Sequence, residues 1–216
     1  MIITQIYDHF FVPYTLQQHM IRVASVAAAI LEWRCGDALD HNLVLTTCLL
    51  HDLWNIVKMD FTLHATDQYG TEIDWWQKKE EIITTYGSNC HDATLAMCHE
   101  LGISKASTDI IEHMWIKSFV ESEWTWETKL VRYVDMRVNP RQITSLDNRM
   151  IEAKERYAAL WREWTKEPLW TTILKHAHEQ EQSLQMQTTT LLTSISEENT
   201  QTMQASLWSY DIPVWI

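Results

Sequence analysis

The chain has 216 residues and a mass of 25.5 kDa, with 46% hydrophobic and 21% charged residues. This length and composition suit one domain, or one domain with an extension, and exclude a disordered or fibrous protein. Its 29 acidic and 17 basic residues give a net charge of -12. Such a surface repels a phosphate backbone, so we predict that the chain binds no extended nucleic acid.

The sequence has no pattern typical of export or of membrane insertion. The first residues, MIITQIYDHFF, contain neither a basic region nor a long apolar run. The longest nearly charge-free apolar stretch, Val23 to Leu31, is far shorter than the roughly 20 residues that span a bilayer. No C-x-x-C pair occurs among the four cysteines, which favours reduced thiols. We therefore predict a cytoplasmic protein without membrane contact. The cysteines are Cys35, Cys48, Cys90 and Cys98.

Helical periodicity recurs along the chain and strand patterns are scarce, so we predict an all-α fold. Thr15 and Asp40 are candidate helix caps, and Asn139-Pro140 breaks a helix. Residues 60–71 are predicted to form a loop that covers the mouth of a site. The predicted helices cover residues 3–11, 15–34, 41–57, 72–86, 91–101, 105–117, 126–138 and 146–166.

The composition changes beyond His178, where Gln, Thr and Ser dominate and apolar residues keep some helical spacing. We predict a main domain over residues 1–166 and a C-terminal helical extension, rich in Gln, Thr and Ser, over residues 167–216. The extension packs either on the domain itself or on a second subunit. The second alternative implies a homodimer.

Three predicted helices carry a His or an Asp inside an apolar stripe: His19, His51 and Asp135. One such residue alone is usually a satisfied core histidine, or a capping or ion-paired carboxylate. Three of them would face one another in the core, where burial of uncompensated polar and charged groups is costly. A divalent cation would supply the missing charge. Imidazole and carboxylate ligands are compatible with Mn, Fe, Co, Ni, Zn or Mg, and they do not identify which of these metals is bound.

Three sequence blocks carry a family resemblance: QQHMIRVASVA, LLHDLWNIVK and VRYVDMRV. The order of a lone His, a His-Asp dipeptide and a distant Asp resembles the HD-domain metal-dependent phosphohydrolase superfamily. The stretch VDMRVNPRQITSLDNRMIEAKERY is also similar to a small group of uncharacterised bacterial HD proteins. The resemblance covers roughly residues 16–157. It implies an HD-type helical bundle whose metal is held by His19, His51, Asp52 and Asp135.

The resemblance also implies a second set of ligands. Some members of the superfamily bind a second metal through two histidines between the dipeptide and the last Asp. His91 and His113 match those positions here, so the site is expected to hold one or two ions.

The implied reaction is hydrolysis of a phosphoester by metal-activated water, with a nucleotide or another small phosphorylated molecule as substrate. Asp52 would orient the nucleophile as well as ligate, and His113, if it is not a ligand, would donate a proton to the leaving oxygen. Arg22 and Lys58, which follow His19 and His51 by one and two helical turns, are the candidate cations for the phosphoryl oxygens.

Two other functions remain open. The domain could be a non-catalytic metal-binding module for signalling or scaffolding. Alternatively, it could be an HD-fold oxygenase with two iron ions, which would require both His91 and His113 as ligands.

The 12 tryptophans and 4 glycines reverse the usual proportions. Trp54 stands after the His-Asp dipeptide where HD proteins commonly carry Gly, and Trp115 stands where a helix-ending Gly is natural. A single nucleotide separates a glycine codon from UGA. One hypothesis is therefore a source that reads UGA as Gly; the alternative is an aromatic-rich core. In the second case the Trp54 indole would narrow the pocket beside the metal.

Overall fold

The computed structural model describes residues 1–35, 39–59, 74–114, 124–158 and 163–214, except the side chains of Cys90 and Trp164. Within these ranges the fold is all-α, as predicted, and contains no β-strand. The predicted loop at residues 60–71 and Trp115 lie outside them. The α-helices are α1 (Ile3–His9), α2 (Tyr14–Trp33), α3 (His41–Leu50), α4 (Trp75–Tyr86), α5 (Cys90–Glu100), α6 (Lys105–Glu112), α7 (Trp126–Asp135), α8 (Leu146–Ala158), α9 (Leu169–Gln185) and α10 (Glu197–Leu207). Short 3₁₀ helices cover Leu53–Lys58, Glu163–Thr165 and Leu192–Ser194.

One of the two predicted caps is confirmed. The side chain of Asp40 accepts a hydrogen bond from the backbone N–H of Leu43 at 2.9 Å and so caps α3. Thr15 is not a cap, because α2 already begins at Tyr14 and Pro13 occupies the N-cap position. A proline costs nothing there, since the first backbone N–H groups of a helix lack helical partners.

The predicted helix over residues 41–57 is interrupted in its second half. α3 ends at Leu50, and a 3₁₀ helix starts at Leu53. Between them, Asp52 has φ -119° and ψ 19°, outside the α-helical range. Changes of helix type often coincide with functional positions. Here the change lies at the His-Asp dipeptide, where His51 Nε2 and Asp52 Oδ2 lie 3.6 Å apart.

The long predicted helix over residues 146–166 is also shorter in the structure. α8 ends at Ala158, and Glu163–Thr165 form a 3₁₀ helix rather than a continuation of the α-helix.

The C-terminal helices share one apolar core with the rest of the chain. Ile173 in α9 and Leu207 in α10 belong to the same buried cluster as Ile30 in α2 and Val134 in α7. Of the two predicted locations for the extension, the structure supports packing on the domain itself. None of the helices in the described ranges combines the length and hydropathy needed to cross a membrane.

Candidate metal centre

The predicted ligands come from three neighbouring helices. His19 lies in the first half of α2, His51 follows the last residue of α3, and Asp135 is the last residue of α7. Asp52 lies in the turn after α3. Because α2, α3 and α7 pack against one another, their side chains meet although up to 116 residues separate them in sequence.

The side chains of His19, His51 and Asp135 converge, and Asp52 lies beside the two histidines. His19 Nε2 lies 3.4 Å from Asp135 Oδ1 and 3.8 Å from Asp52 Oδ2. His51 Nε2 lies 3.5 and 3.6 Å from the same two oxygens. These separations exceed the roughly 2.7–3.2 Å of an N–H···O hydrogen bond. Ligand atoms held about 2.1 Å from a tetrahedral metal lie about 3.4 Å apart, so the spacing fits a cation between them.

A backbone contact orients the His51 ring towards this point. His51 Nδ1 donates to the carbonyl oxygen of Cys48 at 2.8 Å, which leaves Nε2 to face the carboxylates. Nε2 is buried and has no hydrogen-bond partner within the described ranges. His19 and His51 are only 8% and 6% exposed. A buried acceptor without a donor is costly, and a metal ion would satisfy it.

The electrostatics of the cluster also require a positive charge. Burial lowers the pKa of His51, but Asp52 and Asp135 outweigh this effect and raise it to about 9. Burial likewise opposes ionisation of Asp135, yet His19 and His51 hold its pKa well below its usual range. Both shifts show that the carboxylates favour positive charge at this position, which a divalent ion would supply.

His19, His51 and Asp135 form a group whose ligand atoms all lie within 4.8 Å of one another, as a bound ion requires. Asp52 lies beside this group and offers a second carboxylate oxygen, 3.8 and 3.6 Å from the two Nε2 atoms. Two imidazole nitrogens and two carboxylate oxygens suit a borderline or hard divalent ion. Three of the four predicted ligands thus form a group that could hold a metal ion, and Asp52 is not part of that group.

A cavity of about 80 Å³ opens beside His51 and Asp52. Lys58 and Asn55 reach it from the 3₁₀ helix that follows the dipeptide, and His91 reaches it from α5. Thr94, one turn after His91 and 4% exposed, also lines it. The sequence pattern does not distinguish Thr94 from other helical residues, although its spacing from His91 places both on one helix face. The other residues that line the cavity are Ile111 and Met114.

His91 and His113 are not part of the buried ligand group among the described residues. His91 is half-buried on the cavity wall, and burial is the largest influence that lowers its pKa. The charges of Asp92 and Glu112 oppose this shift, and those of His113 and Lys58 add to it. His113 follows α6, where its Nδ1 donates to Asp109 O at 2.6 Å and its ring centroid lies 4.6 Å from that of Trp124. A second metal at this pair stays a prediction.

The two side chains predicted to bind phosphoryl oxygens, Lys58 and Arg22, make different contacts in the structure. Lys58 lines the cavity. Arg22 instead pairs with Glu197 of α10, with 3.0 Å between Nε and Oε1, so a contact between Arg22 and a substrate stays a prediction. Arg137, two residues after Asp135, is 2% exposed and donates to the Tyr133 hydroxyl and to backbone carbonyl oxygens.

Trp54 does not narrow the cavity. It is 2% exposed, and its indole N–H donates to the backbone oxygen of Gly87 at 3.2 Å. It is not among the described residues that line the cavity. The indole therefore packs into the core between the 3₁₀ helix and the end of α4.

Comparisons with known protein families, with characterised proteins and with solved structures gave no match. The geometry above defines the class of site: a buried His–Asp cluster in an all-α fold that could hold a metal ion.

Proposed function

We propose that this chain is a metal-dependent phosphohydrolase of the HD type that cleaves the phosphoester of a small phosphorylated molecule. The observation that carries the proposal is the position of the four-residue group. His51 and Asp52 are two of the predicted ligands, and both also line a cavity whose wall contains a lysine. A metal ion that is purely structural needs no such opening, whereas a catalytic ion needs an open position for water or substrate.

The residues around the cavity have distinct proposed roles. When bound, the metal would supply positive charge for the phosphoryl oxygens and lower the pKa of water. Asp52 would orient the attacking water and accept its hydrogen bond. Lys58 would neutralise the charge that develops on the phosphoryl oxygens. His91 lines the cavity and is therefore better placed than His113 to donate a proton to the leaving oxygen.

The size of the cavity favours a small group at its base. Its volume of about 80 Å³ is well below the roughly 300–1,000 Å³ of a site that encloses a drug-sized ligand. A terminal phosphoryl group would enter it while the rest of the substrate stays outside the described walls. This geometry favours phosphomonoesters, with nucleoside monophosphates and sugar phosphates as the first compounds to test.

The experiment measures metal content and phosphate release together. The purified chain is loaded with Mn²⁺, Co²⁺ or Mg²⁺ and assayed on phosphomonoesters and nucleotides, with His51→Ala as the test variant. His9→Ala is the matched control, because His9 also contacts a carboxylate but its side chain is 56% exposed. We expect His51→Ala to lose both metal and activity, and His9→Ala to retain both.

Other results of this experiment would favour one of the alternative functions or exclude the metal site. Metal that raises the melting temperature without any turnover would favour the non-catalytic module. Iron at two ions per chain would favour the oxygenase and would require His91 and His113 as ligands. Metal content that His51→Ala leaves unchanged would exclude the site itself.

A further inference from the structure

One short C-terminal segment contacts two of the helices that carry metal ligands. Residues 192–197 run from the 3₁₀ helix Leu192–Ser194 to the start of α10. Arg137, two residues after Asp135, donates to the carbonyl oxygens of Leu192 at 2.8 Å and Ile195 at 3.4 Å. The end of α7 is thereby tied to this segment.

The same segment reaches α2 through Glu197. Glu197 Oε1 lies 3.0 Å from Nε of Arg22, which is one helical turn after His19. That carboxylate oxygen also accepts a hydrogen bond from the backbone N–H of Ile143 at 2.9 Å, in the stretch between α7 and α8. Glu197 therefore connects the helix of His19 with the chain that follows Asp135.

These contacts are more than a solvated surface network. Arg137 is 2% exposed, and its guanidinium also donates to Thr144 O at 2.6 Å and to the Tyr133 hydroxyl at 2.8 Å. The Arg22 side chain is 16% exposed. The buried donors of Arg137 hold their carbonyl partners in place, because a carbonyl left without a donor in the core is costly. The contact between Arg22 and Glu197 is an ion pair, and the Glu197 side chain is 42% exposed.

Metal sites depend on such rigidity. A binding site must hold its ligand atoms within a few tenths of an ångström of the metal–ligand distance. Loss of a group that orients a ligand typically weakens metal affinity about 10–100-fold. The two ligands concerned here, His19 and Asp135, lie 3.4 Å apart.

We propose that residues 192–197, acting through Arg137 and Glu197, position His19 and Asp135 for the metal. The proposal rests on the function proposed above, because it requires that the chain bind a metal. Arg137 and Glu197 are positioning residues that act through the helices and touch neither metal nor substrate. The C-terminal helices would then be part of the metal site's framework.

The first test compares two buried arginines. Arg137→Gln removes donors from the 192–197 segment. Arg149→Gln is the matched control: Arg149 is 7% exposed and donates to Val138 O, but its described bonds do not involve that segment. Mn²⁺ and Co²⁺ affinities are measured by calorimetry, and the free energy of unfolding of each metal-free variant is measured in urea. We expect about 10–100-fold weaker metal binding in Arg137→Gln than in the control at comparable stability.

A milder pair keeps the test usable if Arg137→Gln does not fold. Glu197→Gln removes the charge opposite Arg22 but keeps an oxygen for Ile143. Glu152→Gln is its control, since the two glutamate side chains are 42% and 37% exposed and each pairs with an arginine. We expect weaker metal binding and an altered Co²⁺ absorption spectrum only in Glu197→Gln.

The outcomes separate this inference from the proposed function. If the unmodified chain binds metal and both test variants bind it as tightly as their controls, the positioning role is wrong and the proposed function survives. If the unmodified chain binds no metal, the proposed function fails and the inference fails with it.

Discussion

Two His–carboxylate contacts in this molecule differ in a way that distinguishes a metal site from an ion pair. On the surface, His9 Nε2 lies 2.9 Å from Glu100 Oε1, and the Tyr86 hydroxyl donates to the other carboxylate oxygen at 2.6 Å. In the core, His51 Nε2 and Asp135 Oδ1 remain 3.5 Å apart. The surface pair is within hydrogen-bond distance, whereas the two buried atoms have the spacing of two ligands of one cation.

Proximity of a histidine and a carboxylate is therefore a weak criterion for a metal site. An exposed pair contributes little, because water competes for both partners. A buried group with two carboxylates and an unsatisfied imidazole nitrogen requires a compensating charge. The following experiments test this difference.

The largest effect is expected at Trp54. Trp54→Gly should lower the free energy of unfolding by about 3–5 kcal/mol, because it leaves a large cavity in the core and removes the indole hydrogen bond to Gly87. Urea denaturation of the metal-free protein measures the change. Trp76→Gly is the control, since Trp76 is 49% exposed and should cost only about 1 kcal/mol from helix propensity.

The same pair of variants tests the hypothesis that some tryptophans are misread glycines. A Trp54→Gly chain that is as stable as the original would contradict the aromatic-core account and favour glycine at this position. Sequencing the coding DNA provides an independent check, because UGG codons at the Trp positions would exclude the hypothesis.

Metal addition should stabilise the buried group and leave the surface pair unaffected. At a metal concentration 100 times Kd, the free energy of unfolding should rise by about 2.7 kcal/mol, and a chelator should reverse the gain. Asp135→Ala should abolish this gain, while Glu100→Ala should retain it in full. Equal gains in both variants would show that the metal binds elsewhere.

A smaller effect is expected at the cavity wall. Lys58→Met should lower kcat/KM for a phosphomonoester about 10–100-fold without changing metal content, since it removes a cation from the cavity but no ligand. Lys105→Met is the control, because the Lys105 side chain is 85% exposed and pairs with Asp109 away from this cavity. Unchanged kcat/KM in Lys58→Met would remove Lys58 from the proposed mechanism.

The smallest effect is expected at the surface pair itself. Hydrogen bonds from His9 and Tyr86 lower the pKa of Glu100, so they stabilise the fold above the unfolded pKa of about 4.3. This contribution is lost as the pH falls through the lower, folded-state pKa. Glu100→Gln should therefore cost about 0.5 kcal/mol or less near neutral pH, after allowance for exposure, and nothing in strong acid. A constant cost across a pH series of unfolding measurements would contradict this account.

The all-α class and the positions of the main helices follow from the sequence, because helical periodicity is a local property that neighbouring residues express together. The same periodicity placed His19, His51 and Asp135 on apolar stripes, and the structure brings these three together. A polar residue on a buried apolar stripe needs a polar or charged partner, so the sequence alone indicates that these three residues have one.

Only the tertiary structure decided how the remaining predicted residues are used. His51, Asp52 and Lys58 share a cavity because α3 breaks at the dipeptide, whereas Arg22 pairs with a glutamate 175 residues away. Helical spacing gives the face of a helix on which a side chain lies, but not the element that packs against that face. The packing of α10 on α2 determined the partner of Arg22, and no local pattern records that contact.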